Sequence, residues 1–115
     1  MQEDGLAGLA ALAQGSGWVF PLRGNEDAPL LGVHEGREVT ETICIRSEME
    51  VTVTRLRTED WLNAHRGGLR WVLWHFTGPL TDAIGELRTL PPHGVPNAPK
   101  LRIAAPSQLW TPETS

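Results

Sequence analysis

The chain has 115 residues, the size of a single domain, so residues 1–115 are expected to fold around one core without a disulfide framework or a structural metal. Its formal net charge is −4, which argues against nucleic acid or a membrane surface as the main partner, because both select basic proteins. The one cysteine, Cys44, and an N-terminus without the positive charge of a secretory signal predict a cytoplasmic protein.

The first third of the chain predicts one helix and two strands. Residues 4–14 place leucines and alanines on one helical face. Residues 18–23 predict a short strand, which Pro21 confines to the edge of a sheet. A second strand is predicted over residues 30–34 and is followed by a turn at Glu35-Gly36.

The clearest strand signal is the alternation of apolar and polar residues across residues 38–57. Ile43 and Ile45 alternate with polar neighbours in the first half, and Val51 and Val53 do so in the second. If these side chains share a face, the numbers of paired residues must sum to an even value. We therefore expect a connecting loop with an odd number of residues, because a two-residue turn would send one apolar set to solvent.

The second half of the chain predicts two helices and a last strand. Thr58 is the expected N-cap of a short helix over residues 59–66, where acidic residues in the first turn favour the helix dipole. Thr81 is the expected N-cap of a helix over residues 82–90. A proline-rich loop then leads to a strand over residues 100–105.

Between those two helices, residues 69–77 predict a strand with no polar side. Trp71 and Leu73 fall on one face, and Val72 and Trp74 fall on the other. An antiparallel sheet with one wet face should alternate apolar with polar residues, so both faces of this strand are expected to be covered. With this strand the chain is predicted to be α+β, an antiparallel sheet of five to six strands with two to three short helices packed beside it.

Three short helices can cover one face of such a sheet, but not both. The second face is therefore expected to be covered by another subunit, by a bound ligand, or by the chain's own loops around Trp18 and Trp110. Residues 1–60 are acidic and residues 61–115 are basic, which indicates either a solvated acidic hairpin or a homodimer in which the two halves complement each other across a two-fold axis.

The ionisable residues do not form a conventional active site. Four histidines are scattered along the chain: His34, His65, His75 and His93. No pair has the spacing of a helical zinc site, so no metal and no cofactor are predicted. His65 is expected either to cap the end of its helix or to share a pocket with Trp61, and His75 to be a core histidine or a general base. The pair His34-Glu35 is explained by its place at the predicted turn.

The predicted ligand site is the second face of the 69–77 strand together with the basic end of the preceding helix. Its predicted ligand-binding residues are Trp71, Trp74, His65, Arg66 and Arg70. The two arginines flank a glycine pair, where they could grip a carboxylate or remain solvated.

The small size, acidity and high tryptophan content of the whole chain resemble the lysinoalanine synthases of lanthipeptide (duramycin and cinnamycin) biosynthesis. The resemblance implies a homodimer that holds a peptide substrate so that its lysine adds to a dehydroalanine, with a hydroxyaspartate of the peptide as the base. Catalysis would then be substrate positioning, and no residue of the chain is assigned as catalytic. One alternative is a non-catalytic structural or assembly protein, such as a phage or regulatory subunit, that uses the Trp-bearing face as an interface. The other is an ordinary small enzyme with His65 or His75 as base.

Overall fold

The computed structural model describes residues 17–20, 29–67 and 71–105. The helices and strands in these ranges are β1 (Leu30–Glu35), β2 (Val39–Ser47), β3 (Glu50–Arg57), α1 (Thr58–Gly67), β4 (Trp71–Val72), β5 (Trp74–Gly78), α2 (Leu80–Thr89) and β6 (Ile103–Ala104). Neither described helix combines the length and the apolarity that a membrane crossing requires. The helix predicted over residues 4–14 lies outside the described residues.

The strands divide into two antiparallel sheets. Four of them pair in the order β1-β2-β3-β5, while β4 and β6 pair with each other. The α+β antiparallel prediction is confirmed, but the expected sheet of five to six strands is wrong, because the predicted 69–77 strand breaks at Leu73. The chain bends there, and the Leu73 backbone N–H donates to the Arg55 carbonyl oxygen at 2.7 Å.

The hairpin of β2 and β3 has the predicted pairing but a different loop. Ile43 pairs with Val53, so the paired numbers sum to an even value and the apolar residues share one face, as the sequence predicts. The turn itself has two residues, 48–49, and the expected odd loop is wrong. A β-bulge between Ile45 and Ser47 adds one unpaired residue and so restores the register.

The main core lies on the face of the larger sheet that carries Ile43 and Val53. Helix α2 packs here through buried Leu80, Ala83, Ile84 and Leu87. Aromatic side chains complete this cluster: Trp18, Phe20, Trp74 and Phe76. The helix starts at Leu80, with Pro79 rather than Thr81 at the N-cap and no side-chain cap, so its start is set by the proline and by burial of its apolar stripe.

The opposite face of β2 and β3 is built from threonines. Thr40, Thr42, Thr52 and Thr54 are each at most 2% exposed. Three of these hydroxyls bond to a threonine of the neighbouring strand, with 2.5 Å between the Oγ1 atoms of Thr42 and Thr54 and 3.0 Å between those of Thr52 and Thr77. The Oγ1 of Thr40 lies 2.9 Å from that of Thr58 in α1. Threonine suits this position because it is β-branched and because its buried hydroxyl finds a partner on the next strand.

Hydrogen bonds join the start of α1 to the turn between β1 and β2. Thr58, predicted as an N-cap, is the first residue of the helix, and its hydroxyl donates to the Gly36 carbonyl oxygen at 2.7 Å. Its backbone N–H donates to the Glu38 carbonyl oxygen at 3.0 Å. The turn is centred on Arg37 and Glu38 rather than on the predicted Glu35-Gly36. These bonds bring the turn and the helix start together.

Candidate functional site

Two adjoining clefts open where the β1–β2 turn lies beside α1 and the proline-rich loop. The hairpin cleft, about 420 Å³, is lined by His34, Gly36, Arg37, Glu38, Val39, Glu41 and His93. The helix cleft, about 520 Å³, is lined by Arg37, Glu38, Arg57, Thr58, Glu59, Leu62, His93 and Lys100. Arg37, Glu38 and His93 line both clefts, so the two form one continuous surface, which we call the turn groove.

A row of four side chains crosses the larger sheet beside the hairpin cleft. His34 pairs with Glu41, Glu41 with Arg55, and Arg55 with Trp74, each on the next strand. Directly opposed residues of antiparallel strands have Cβ atoms about 4.5–5.5 Å apart and point to the same face. The register therefore makes neighbours of residues that are far apart in the sequence, and the first two of them line the cleft.

Glu41 and Arg55 form a buried ion pair at the wall of the hairpin cleft. Nε and Nη2 of Arg55 both donate to Glu41 Oε2, at 3.0 and 2.7 Å. Nη1 donates to the carbonyl oxygen of Pro91 at 2.6 Å. The two side chains are only 19% and 5% exposed, so solvent screens their charges weakly. Arg55 thus holds the carboxylate in place and also tethers the loop that carries His93.

The imidazole of His34 is held between the sheet edge and residues 17–20. Its ring centroid lies 5.6 Å from that of Trp18, with 37° between the planes. Val19 fixes this segment on β1 through two backbone hydrogen bonds of 2.8 Å with Val33. An imidazole that is positioned beside a carboxylate can accept or donate a proton, and the carboxylate can bind a cation. Within the described ranges, no three His, Cys, Asp or Glu side chains gather as a metal site.

The helix cleft carries an excess of positive charge. Its three cationic residues are Arg37, Arg57 and Lys100, and among the described residues none of them has an ion-pair partner. Its two carboxylates face other groups. Glu59 accepts a hydrogen bond from Arg102 Nη2 at 2.7 Å, and Glu38 Oε1 lies 3.5 Å from His93 Nε2. Leu62 adds apolar surface to the same cleft, since it is 53% exposed.

Of the five predicted ligand residues, the structure describes the side chains of Trp71 and Trp74. Trp71 lies in β4 and is 44% exposed, whereas Trp74 lies in β5 and packs half-buried against the main core. Neither tryptophan lines either cleft. The side chains of His65 and Arg66, and the whole of Arg70, lie outside the described residues, so their role as ligand residues stays a prediction.

The expectation of two apolar faces is wrong for β5. Trp74 and Phe76 point toward the main core, while His75 and Thr77 are exposed on the opposite face. This strand therefore alternates apolar with polar residues, and His75 is not the core histidine that its neighbours suggested. Of the two tryptophans in the predicted strand, only Trp71 shows substantial exposure.

Comparison with known proteins does not place the chain in a family. No protein-family model, curated protein or solved structure matches it. The function therefore has to be argued from the geometry and the charges of the turn groove.

Proposed function

We propose that this protein binds a peptide along the turn groove and holds it in a conformation in which two of the peptide's own side chains react. The observation that carries the proposal is the composition of the groove. Three cations with no ion-pair partner in the described part of the chain, the side chains of Glu41 and His34, and the exposed Leu62 line one continuous surface. Such a surface suits an extended ligand with alternating polar and apolar groups better than a compact apolar cofactor.

In its specific form, the proposal is that the peptide is a lanthipeptide precursor in which a lysine adds to a dehydroalanine. A bond forms between the lysine nitrogen and Cβ of the dehydroalanine, and the π electrons of the alkene move to Cα. The nitrogen loses a proton and Cα gains one, so the mass of the peptide does not change. The base is a hydroxyaspartate of the peptide, as the resemblance implies.

The contribution of the protein to this reaction is positioning. Holding two reacting groups in line converts a rare encounter into a frequent one. Both bonds from Arg55 end on Oε2 of Glu41, so Oε1 of the same carboxylate supports a hydrogen bond from the lysine side chain in the hairpin cleft. The cations of the helix cleft support binding of an acidic group farther along the peptide.

The test is incubation with a dehydrated precursor of the duramycin class, in hydroxylated and unhydroxylated forms. Remaining dehydroalanine is captured with a thiol and detected by mass spectrometry, because ring closure alone leaves the mass unchanged. We expect the protein to remove the thiol adduct from the hydroxylated precursor, and Arg37→Gln to slow this removal. Arg88→Gln, on the exposed side of α2, is the matched control. Persistence of dehydroalanine in both precursors with the unaltered protein would refute the tailoring function.

A second candidate is an assembly protein that uses the outer face of the small sheet. Trp71 pairs with Ala104 there, and both side chains are exposed. On the other face of this sheet, Val72 is buried beside Leu56 with Trp61 packed against them, whereas its pairing partner Ile103 is 44% exposed. An aromatic ring left on the open face favours contact with another chain.

Light scattering over a range of concentrations tests this candidate. A dimer that Trp71→Ser converts to a monomer would support an interface on the small sheet. A monomer at every concentration contradicts a homodimeric assembly through this face.

A further inference from the structure

We infer that the helix cleft binds the free C-terminal carboxylate of a peptide whose last side chain is apolar. This assignment rests on the peptide-binding function proposed for the turn groove, and it adds which end of the peptide lies at α1. Three observations support it: the cations without an ion-pair partner among the described residues, the contacts of the local carboxylates with Arg102 and His93, and the exposed leucine beside them.

The helix cleft gathers three cations, which is unexpected in an acidic protein. The chain has a net charge of −4, so carboxylates outnumber cations. Elsewhere in the described structure, Arg55 and Arg102 each bond to a carboxylate at 2.7 Å. Arg37, Arg57 and Lys100 instead line one cleft without such a partner among the described residues. Cations gathered in one place repel each other, and a bound anion removes that cost.

The two carboxylates of the cleft contact Arg102 and His93 rather than these three cations. Glu59 is drawn toward Arg102, whose Nε also donates to Asp60 Oδ2 at 3.0 Å. Arg102 therefore bridges the two acidic residues in the first turn of α1. Glu38 faces His93 across 3.5 Å. The positive side of the cleft is left facing the open volume, where an anionic ligand group can enter.

Leu62 decides between a simple anion and a peptide end. It lines the cleft from α1, three residues beyond Glu59, and about half of its surface is exposed. A bare anion such as phosphate would leave this side chain in water. The last residue of a peptide carries its carboxylate and its side chain on the same carbon, so an apolar last residue can meet the cations and cover Leu62 together.

The experiment compares three probes by calorimetry and by amide chemical shifts on isotope-labelled full-length protein. The probes are N-acetyl-Ala-Ala-Leu with a free carboxylate, the same tripeptide as its C-terminal amide, and inorganic phosphate. We expect the free acid to bind at least about tenfold more tightly than the amide or phosphate, because loss of one charge-assisted contact is worth about that factor. The shifts should centre on Arg37, Arg57 and Leu62.

Two variants and a control separate the cleft from general charge effects. Arg57→Gln and Lys100→Gln should each weaken the free acid about fivefold to tenfold and leave the amide unchanged. Arg88→Gln removes an exposed arginine of α2 and should leave both affinities unchanged. Circular dichroism confirms that each variant is folded.

The outcomes distinguish this inference from the proposed function. Equal binding of acid and amide, or phosphate binding as tight as that of the tripeptide acid, overturns the carboxylate site. If the lanthipeptide precursor is still crosslinked in that case, the tailoring function survives. Conversely, tight binding of the tripeptide acid in the cleft without any crosslinking supports the carboxylate site and refutes the tailoring function.

Discussion

Replacing Arg55 by methionine tests the part of the structure on which the hairpin cleft depends. Methionine keeps the length of the arginine stem and removes the guanidinium, which donates three hydrogen bonds, two to Glu41 and one to the Pro91 carbonyl oxygen. Glu41 would then be a carboxylate with only 19% of its side chain exposed and no partner on β3. The variant therefore leaves a buried charge without compensation.

The expected cost follows from that burial. Breaking a buried ion pair by removing one partner typically costs about 3–5 kcal/mol. Because Glu41 keeps some contact with water, we place Arg55→Met at about 3 kcal/mol, a large share of the roughly 5–15 kcal/mol that stabilises a domain. For a domain of this size the melting temperature should fall by roughly 12 °C.

A double-mutant cycle measured by urea unfolding separates the ion pair from simple loss of packing. Glu41→Leu combined with Arg55→Met should recover about 2 kcal/mol relative to Arg55→Met alone, because no unpaired charge remains. Arg88→Met, on the exposed side of α2, should change stability by less than about 0.5 kcal/mol. A stabilising ion pair between Glu41 and Arg55 is contradicted if Arg55→Met loses no more stability than Arg88→Met, or if the double variant loses the sum of the two single losses.

Two further predictions concern the sheet. Gly32→Ala would place a Cβ 2.4 Å from Phe20 Cε2, so calorimetric unfolding should show a loss of stability of about 1–3 kcal/mol. The control is Gly85→Ala, in a helix with nothing within 4 Å of the added Cβ, which should stabilise the protein by up to about 1 kcal/mol. A Gly32→Ala variant of unchanged stability would contradict the packing of Phe20. Thr42→Val should cost about 1–2 kcal/mol of stability in urea unfolding, because it leaves the buried hydroxyl of Thr54 without its partner Thr42. Combining Thr42→Val with Thr54→Val should recover most of this loss. Strictly additive losses would show that the two hydroxyls are not coupled.

Local patterns predicted most elements of the fold. The strand over residues 30–34, the hairpin over 38–57 and the helices over 59–66 and 82–90 all occur within a few residues of their expected ends. These elements follow from alternation and helical periodicity, which depend on neighbouring residues alone. The even pairing of β2 and β3 was predictable for the same reason, because both strands must bury their apolar sets on one face.

Features set by tertiary contacts were missed. The break at Leu73 depends on its hydrogen bond to Arg55, and the bulge after Ile45 depends on the partner strand. Neither leaves a clear local signal. Residues 71–78 have the sequence of one continuous apolar strand, although their two halves, β4 and β5, belong to different sheets. As a result, the sequence overestimated how much apolar surface the 69–77 segment needs to cover with a partner or a ligand.

The turn groove was missed because its parts are distant in the sequence and because the first turn was placed too early. A turn at Glu35-Gly36 sets a different register, whereas the observed turn at Arg37-Glu38 places His34 opposite Glu41. Residue His93 reaches the groove through a loop whose path no periodicity predicts. Composition directed attention to tryptophan rather than to the cations that line the helix cleft.

Peptide binding in the turn groove is tested most directly by an amide chemical-shift map of the labelled protein during titration with the dehydrated, hydroxylated precursor. If the peptide lies in the turn groove, the largest shifts fall on the turn at Arg37 and Glu38, on His93 and on Leu62 of α1. Shifts confined to Trp71 and the small sheet, with the turn unperturbed, would contradict the groove as the binding site.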